Sequence, residues 1–325
     1  MAVDAERGPE SLTPPPVVAV VGPTATGKTA FAVRLAERLG RAELLNADSR
    51  QMLRGLRVGT NTPGPEELAG VPCHLLGITE PGCPFSVADW LAAARDCLAA
   101  LDVRGVRPIV VGGTGLYVRA LLDGLDLDGS PPDPVRRAAL NARASSPEGL
   151  AELAADLRQR DPEGAAGIDL RNPRRVVRGL EIVEARGSLA GRGRGGTTRP
   201  SVRIGVDAAP DVHREWIAER AGRMMAGGLL EETAAALARG VTSEALDGSG
   251  IGYREALAVL DGRLSAAEAI TEIARRTVRY AKAQRTWFRA DRGVVWLQRE
   301  SGDDLDGLVS RALELARGRG TTGAA

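Results

Sequence analysis

Gly22-Pro23-Thr24-Ala25-Thr26-Gly27-Lys28-Thr29 sets two glycines, a lysine and a hydroxyl residue at the spacing of a polyphosphate-binding loop (P-loop). Such glycines let the backbone curl so that successive amide N–H groups converge on phosphate oxygens. Lys28 supplies a mobile cation for the terminal phosphates, and the Thr29 hydroxyl stands where it can ligate a magnesium ion. A functionless Gly-rich turn could show the same letters, but it would not require a strand before it and a helix after it. Both are present. Val17 to Val21 reads as a buried parallel strand, and Phe31, Leu35, Ala36 and Leu39 give Ala30 to Leu39 the spacing of a helix. The start of that helix adds the positive end of its dipole. A diphosphate or a triphosphate is the expected ligand.

Three further groups could do chemistry. Asp48, in Asn46-Ala47-Asp48-Ser49-Arg50-Gln51, follows a second apolar strand, Ala42 to Ala47. A carboxylate there can act as a general base, bind magnesium beside the phosphates, or simply cap a helix. Gly112-Gly113-Thr114-Gly115 follows the strand Pro108 to Val111, and brings a backbone and one hydroxyl close to a ligand. The third group is cationic. Net charge is only +1, yet 41 of the 43 basic residues are arginine, the exceptions being Lys28 and Lys282. A chain so biased keeps lysine where a compact ammonium does what a planar guanidinium cannot. Arg171 to Arg199 holds eight arginines, and Thr271 to Arg292 holds seven basic residues against Glu272 and Asp291. On a helix Arg275, Arg279, Lys282, Thr286 and Arg289 fall along one stripe, with Arg276, Tyr280 and Trp287 on a neighbouring face. Few acids stand four residues away to neutralise that stripe. A cationic face flanked by aromatics suits an RNA backbone with bases free to stack, whereas a solvated charged face is the simpler alternative.

Strands and helices alternate to about residue 128, which implies an α/β fold: a P-loop-containing parallel sheet core flanked by helices, with ligands at the carboxyl ends of the strands. From 129 to 199 the pattern changes to helices without strands, punctuated by Pro131-Pro132, Asp161-Pro162 and Asn172-Pro173 and ending in a Gly/Arg-rich stretch. A strand at Val202 to Val206 then resumes the core, so 129–199 reads as an inserted helical domain within a core made of 14–128 and 200–316. Helices are expected at Val87 to Leu101, Val212 to Met225, Leu229 to Arg239 and Ala266 to about Ala290. Residues 1–13 and 317–325 read as disordered tails. Apolar residues are 43% of the chain but aromatics only 3%, so Ala, Val and Leu must do most of the packing. The three cysteines show neither CxxC spacing nor a paired framework. With no long apolar run and no signal-peptide pattern, they point to the cytoplasm. No heptad seam suggests assembly, which leaves a monomer as the default.

Taken together the motifs resemble the tRNA dimethylallyltransferases. The matching pieces are GPTATGKT (22–29), DSRQMLRGLRVGT (48–60), GGTGLY (112–117), NPRRVVRGLE (172–181), GYRE (252–255) and KAQRTWFR (282–289), in the family's order. The resemblance implies transfer of a dimethylallyl group from dimethylallyl diphosphate to N6 of adenine 37, in tRNAs that read codons beginning with U. It implies that Gly22 to Thr29 hold the donor diphosphate, with Mg2+ at Thr29 offsetting the leaving charge. Asp48 takes the position of the general base; Thr114 and Arg220 take those that stabilise the diphosphate as it leaves. The anticodon stem-loop is expected against Asp48, Ser49, Arg50 and Gln51, Arg174, Arg175 and Arg178 of the inserted domain, Gly252, Tyr253 and Arg254, and Lys282, Arg285, Trp287 and Arg289. The target base would be extruded into a channel between the two domains.

The chain departs from the family at Cys73-His74-Leu75-Leu76-Gly77-Ile78, where HHLIDI is usual, and at Ala283, where a basic residue is usual. Two other classes fit part of the pattern. An ATP-dependent small-molecule kinase would use the phosphate loop and Asp48 equally well, but has no use for the basic, aromatic helix. A nucleotide-gated RNA-binding protein would need no general base.

Overall fold

The computed structural model describes residues 14–125, 133–189, 199–300, 302 and 305–318. Residues 1–13, Pro131-Pro132, and 190–198 of the Gly/Arg-rich stretch lie outside it. In chain order the first part contains β1 (Val17–Val21), α1 (Lys28–Leu39), β2 (Ala42–Asn46), α2 (Pro65–Leu68), β3 (Cys73–His74), α3 (Val87–Val103), β4 (Arg107–Val111) and α4 (Gly115–Leu122). Four helices follow: α5 (Pro134–Arg143), α6 (Pro147–Arg160), α7 (Pro162–Ala166) and α8 (Pro173–Arg186). The chain then forms β5 (Ser201–Ala208), α9 (Pro210–Ala226), α10 (Leu229–Ala238), α11 (Ser243–Ser249), α12 (Tyr253–Leu260), α13 (Ala266–Arg289), β6 (Val294–Arg299) and α14 (Asp306–Gly318). Two residues expected in the C-terminal tail, 317 and 318, therefore close a helix. Its Val309, Ala312, Leu313 and Ala316 are buried against the sheet core, which gives this last segment a reason to order.

The strands make one sheet in the order β3-β2-β4-β1-β5-β6, and every pair is parallel. Val18 stands opposite Ile109 on one side and Val202 on the other, so β1 is central. All five of its residues are buried, as a strand covered on both faces requires. Since the strands run the same way, the turns after β1, β2 and β4 and the end of β5 emerge at one edge. That edge receives the phosphate loop, Asp48, Thr114 and Asp207.

Contacts divide the chain into two compact units, the smaller running from residue 123 to 197. Its helices pack around Leu140, Leu153, Leu157, Val176 and Leu180. The two prolines read as helix punctuation sit at helix starts: Asp161 and Asn172 cap α7 and α8 with their side chains, and Pro162 and Pro173 open those helices. In the larger unit α13 begins with a Ser265/Glu268 capping box and buries the stripe Ala269, Ile273, Thr277, Ala281, Gln284 and Phe288.

Candidate active site

The phosphate loop leaves β1 at Gly22, whose φ of +133° and whose approach to β5 both require glycine: a Cβ built there would lie 2.3 Å from the Val206 carbonyl oxygen. Ala25 also sits in the left-handed region, at φ +63°. Within the curl the Thr26 hydroxyl donates to the Pro23 carbonyl (2.9 Å), as does the Lys28 Nζ (2.5 Å). Desolvation lowers the Lys28 pKa to about 8; Asp48 works against that shift, Arg220 adds to it, and Asp207 again opposes it.

Asp48 follows β2 in a turn that aims its carboxylate. Its own N–H donates to the Asn46 side chain (3.0 Å), and its Oδ1 accepts the Arg50 N–H (2.9 Å). Oδ2 takes no hydrogen bond from the described residues. It stands 3.7 Å from a Cβ built on Gly113, an ordinary van der Waals separation, whereas that Cβ would lie only 2.1 Å from Gln284 Nε2. Asp48, Thr24, Arg220, Met224 and Tyr280 share the lining of one cleft of about 160 Å³. Arg220 donates to the Thr24 hydroxyl (2.7 Å), and desolvation lowers its pKa while Asp48 opposes the shift. Across the edge of the sheet, Thr114 Oγ1 accepts the Ser49 N–H (3.0 Å) and donates weakly to Ser49 Oγ (3.3 Å). The loops after β1, β2 and β4 thus bring cation, carboxylate and hydroxyl to one place. With Arg220 from α9 the site has three positive or hydrogen-donating groups facing a carboxylate, which suits transfer from a diphosphate to a nucleophile that must lose a proton.

The remaining expected RNA contacts divide. Arg50 is exposed, with its guanidinium donating to the Gly248 carbonyl, and Gln51 Nε2 donates to the Asn61 carbonyl (2.7 Å). Arg254 is exposed but pinned by Asp247 through two bonds of 2.6 and 2.7 Å. Trp287 is 38% exposed, and the Arg119 guanidinium lies 5.9 Å from its ring centre. On α8 in the smaller unit Arg174 and Arg175 are exposed, while Arg178 pairs with Glu181 (3.1 Å).

Two residues expected to contact RNA are buried. Tyr253 is wholly buried, its hydroxyl donating to Glu232 Oε1 (2.7 Å), and Gly252 is buried before it. Glu232 also accepts the backbone N–H groups of Arg57, Val58 and Gly59 (2.5–3.0 Å), so Tyr253 braces that loop through Glu232. The cationic stripe of α13 is also less bare than its sequence neighbours suggested. Glu272 pairs with Arg275, Glu255 of α12 with Arg276, and Asp207 of β5 with Arg285 and Arg289. Most of these acids come from other elements, out of sight of any i±4 count. Arg285 turns inward, its side chain 20% exposed. Among the described residues Arg279 and Lys282 have no ion-pair partner.

Sequence reasoning passed over three residues that meet this site, and gave a fourth, Tyr280, only a place beside the cationic stripe. Gln284 and His213 contact the phosphate loop directly, Asp207 anchors Arg285, and Tyr280 lines the cleft. Burial pushes the Asp207 carboxyl up, but the hydrogen bonds from Arg285 and from its neighbouring backbone leave it below its ordinary value. A signal existed for Gln284: it continues the apolar stripe Ile273, Thr277, Ala281, a place where an amide must have a buried partner.

A family model for IPP transferases matches residues 51–291, and one for isopentenyl transferases matches residues 15–76. The chain is 43% identical over 289 residues to the tRNA dimethylallyltransferase of Streptomyces coelicolor, covering 87% of this chain and 90% of that one. It is 40% identical over 321 residues to the tRNA dimethylallyltransferase of Salinispora tropica, covering 97% and 98%. The crystal structure of the tRNA isopentenylpyrophosphate transferase from Bacillus halodurans superposes with a TM-score of 0.69 at 36% identity, covering 94% of this chain and 98% of that one.

Proposed function

The chain belongs to the IPP transferase family, and from that premise we propose that it moves the dimethylallyl group of dimethylallyl diphosphate onto N6 of adenine 37 in tRNA. The tRNAs are those that read codons beginning with U. One observation carries the reading: the Asp48 carboxylate opens onto the same cleft as Thr24 and Arg220, with Lys28 close enough to feel its charge. An amine and an allylic carbon can meet between them.

In this reading the backbone of Gly22 to Thr29 and the Lys28 ammonium take the diphosphate. The N6 lone pair attacks the allylic carbon as its bond to the bridging oxygen breaks. An exocyclic adenine amine is a poor nucleophile because its lone pair is delocalised into the ring. Asp48 accepts the N6 proton as the N–C bond forms, using the oxygen that the Asx turn leaves open. Arg220 and Thr114 stabilise the charge that gathers on the departing diphosphate. For Thr114 the bond to exchange is the long one to Ser49 Oγ, while the Ser49 N–H holds the oxygen in place. Mg2+ fits at Thr29, at the start of α1, whose hydroxyl bonds to no described residue; the other ligands would be phosphate oxygens and water. When bound it would supply charge neutralisation on the leaving group.

The anticodon stem-loop is taken against Ser49, Arg50 and Gln51, Arg254, and the α13 face with Lys282, Trp287 and Arg289. Arg174, Arg175 and Arg178 extend that role to the inserted 129–199 domain. On this reading the working state is taken to be a monomer in the cytoplasm; among the described residues no helix is long and apolar enough to cross a membrane. The kinase alternative loses ground because the relatives are tRNA dimethylallyltransferases and not phosphotransferases. Incubating the protein with labelled dimethylallyl diphosphate and an unmodified anticodon stem-loop tests the reading. Label in RNA, lost when A37 is replaced by guanosine, is expected. Label confined to small molecules refutes it.

A further inference from the structure

Each of the three polar groups of Thr24 is held by a side chain from a helix far along the chain. Its N–H donates to Gln284 Oε1 of α13 (2.7 Å), its carbonyl pairs with His213 Nε2 of α9 (2.8 Å), and its hydroxyl accepts from Arg220 (2.7 Å). Gln284 Nε2 then donates to the Gly113 carbonyl (3.0 Å), so one amide joins the loop after β1 to the loop after β4. His213 Nδ1 faces Arg285 Nη2 at 2.9 Å. Arginine can only donate, so Nδ1 is the acceptor and the ring proton sits on Nε2, aimed at Thr24. Arg285 is fixed in turn by Asp207 at 2.7–3.1 Å.

These contacts have work to do, because the loop does not hold its shape by itself. Ala25, the next residue, is in the left-handed region that residues with a side chain rarely adopt. Such a conformation persists when its surroundings over-determine it. Gln284 is buried and both of its polar ends are used on the two loops, leaving neither for RNA. Its neighbours Lys282, Trp287 and Arg289 on α13 are exposed instead.

We propose that Gln284 and His213 are positioning residues for the donor: by fixing the peptide groups on either side of Thr24 they keep the phosphate loop shaped for a diphosphate and in register with Thr114. The inference rests on reading this loop as the prenyl diphosphate site. It separates Gln284 from the residues beside it in sequence, since its loss is felt by the donor and not by the tRNA.

The test is calorimetric titration of the full chain with dimethylallyl diphosphate and magnesium, without tRNA, followed by steady-state kinetics. Gln284→Met keeps the volume and removes both hydrogen bonds. Donor affinity falls roughly ten-fold, as losing a buried partner for two peptide groups implies, and donor KM rises with it while tRNA KM stays within about two-fold. His213→Leu weakens donor binding similarly. His213→Gln restores most of it, because its amide can still donate toward Thr24 and accept from Arg285. Unchanged donor affinity in a folded Gln284→Met protein overturns the proposal, as does a rise in tRNA KM instead of donor KM. Should Gln284→Met fail to fold, the His213 pair decides: glutamine as impaired as leucine is the refuting result. A parent protein that does not bind the donor refutes the prenyl diphosphate reading itself, a different failure from variants that bind as well as the parent.

Discussion

Raising the pH from 7 to 9 should weaken donor binding through Lys28. Desolvation brings this ammonium down to about 8, against an ordinary 10.5, with Asp48 restraining the fall and Arg220 adding to it. The free protein therefore holds Lys28 mostly charged at pH 7 and mostly neutral at pH 9. A bound diphosphate places negative charge beside the nitrogen and restores its proton, so binding above pH 8 must take up a proton. The linkage gives an apparent Kd that grows as one plus ten to the power of pH minus eight. Between pH 7 and 9 that is roughly a ten-fold loss, or about 1.4 kcal/mol. The sign follows from the lowered pKa: binding is strongest where Lys28 is already charged and declines as pH rises through it. The phosphates of dimethylallyl diphosphate are ionised throughout this range, so their titration does not mask the effect. Calorimetry at fixed magnesium, in two buffers of different ionisation heat, gives both affinity and proton uptake. About 0.9 proton per donor is expected at pH 9 and about 0.1 at pH 7. In Lys28→Met the remaining affinity should no longer depend on pH. A Kd that is flat from pH 7 to 9 in the parent, with no proton uptake, would refute the reasoning.

Asp48→Asn retains the oxygen that accepts the Arg50 N–H and so keeps the turn, but it cannot take the N6 proton; kcat should fall about 10²–10⁴-fold with donor affinity kept, measured by single-turnover label transfer. Thr114→Ala removes a contact that strengthens as the leaving group departs, so kcat should drop roughly 10²-fold while donor Kd moves far less; equal losses in both would count against that role. Lys282 has no ion-pair partner among the described residues, whereas Arg289 is shared with Asp207 and lies over Trp296. Lys282→Ala should reduce the slope of log K for tRNA against log salt by about one, and Arg289→Ala by less, since part of its charge is already compensated. Equal slopes in parent and Lys282→Ala would take Lys282 out of the interface.

The sequence by itself determined whatever depends on neighbours along the chain. Strand, glycine curl and helix around Lys28 follow one another within 23 residues, from Val17 to Leu39, and each is dictated by local backbone and burial rules. The alternation of strands and helices fixed a parallel sheet, and a parallel sheet brings its strand ends to one edge. The places of Asp48 and Thr114 beside the phosphate loop follow from that. Prolines punctuated the helices of the smaller unit for the same local reason. The short strand Cys73–His74 and the edge strand Val294–Arg299 left too little pattern to read, since they are defined by pairing partners and not by their own periodicity.

Tertiary structure decided which charges are free and which polar groups are inside. Arg285 looks like part of a cationic stripe until Asp207, 78 residues away in sequence, is found to bind it. Tyr253 sits in a family motif, yet it is a buried brace because Glu232 and the backbone of residues 57–59 converge on one point. The grip on Thr24 by His213, Arg220 and Gln284 spans separations of 189 to 260 residues. Burial and hydrogen-bond satisfaction are properties of the packed whole, so residues equal in type and spacing acquire different roles only when distant elements close around them.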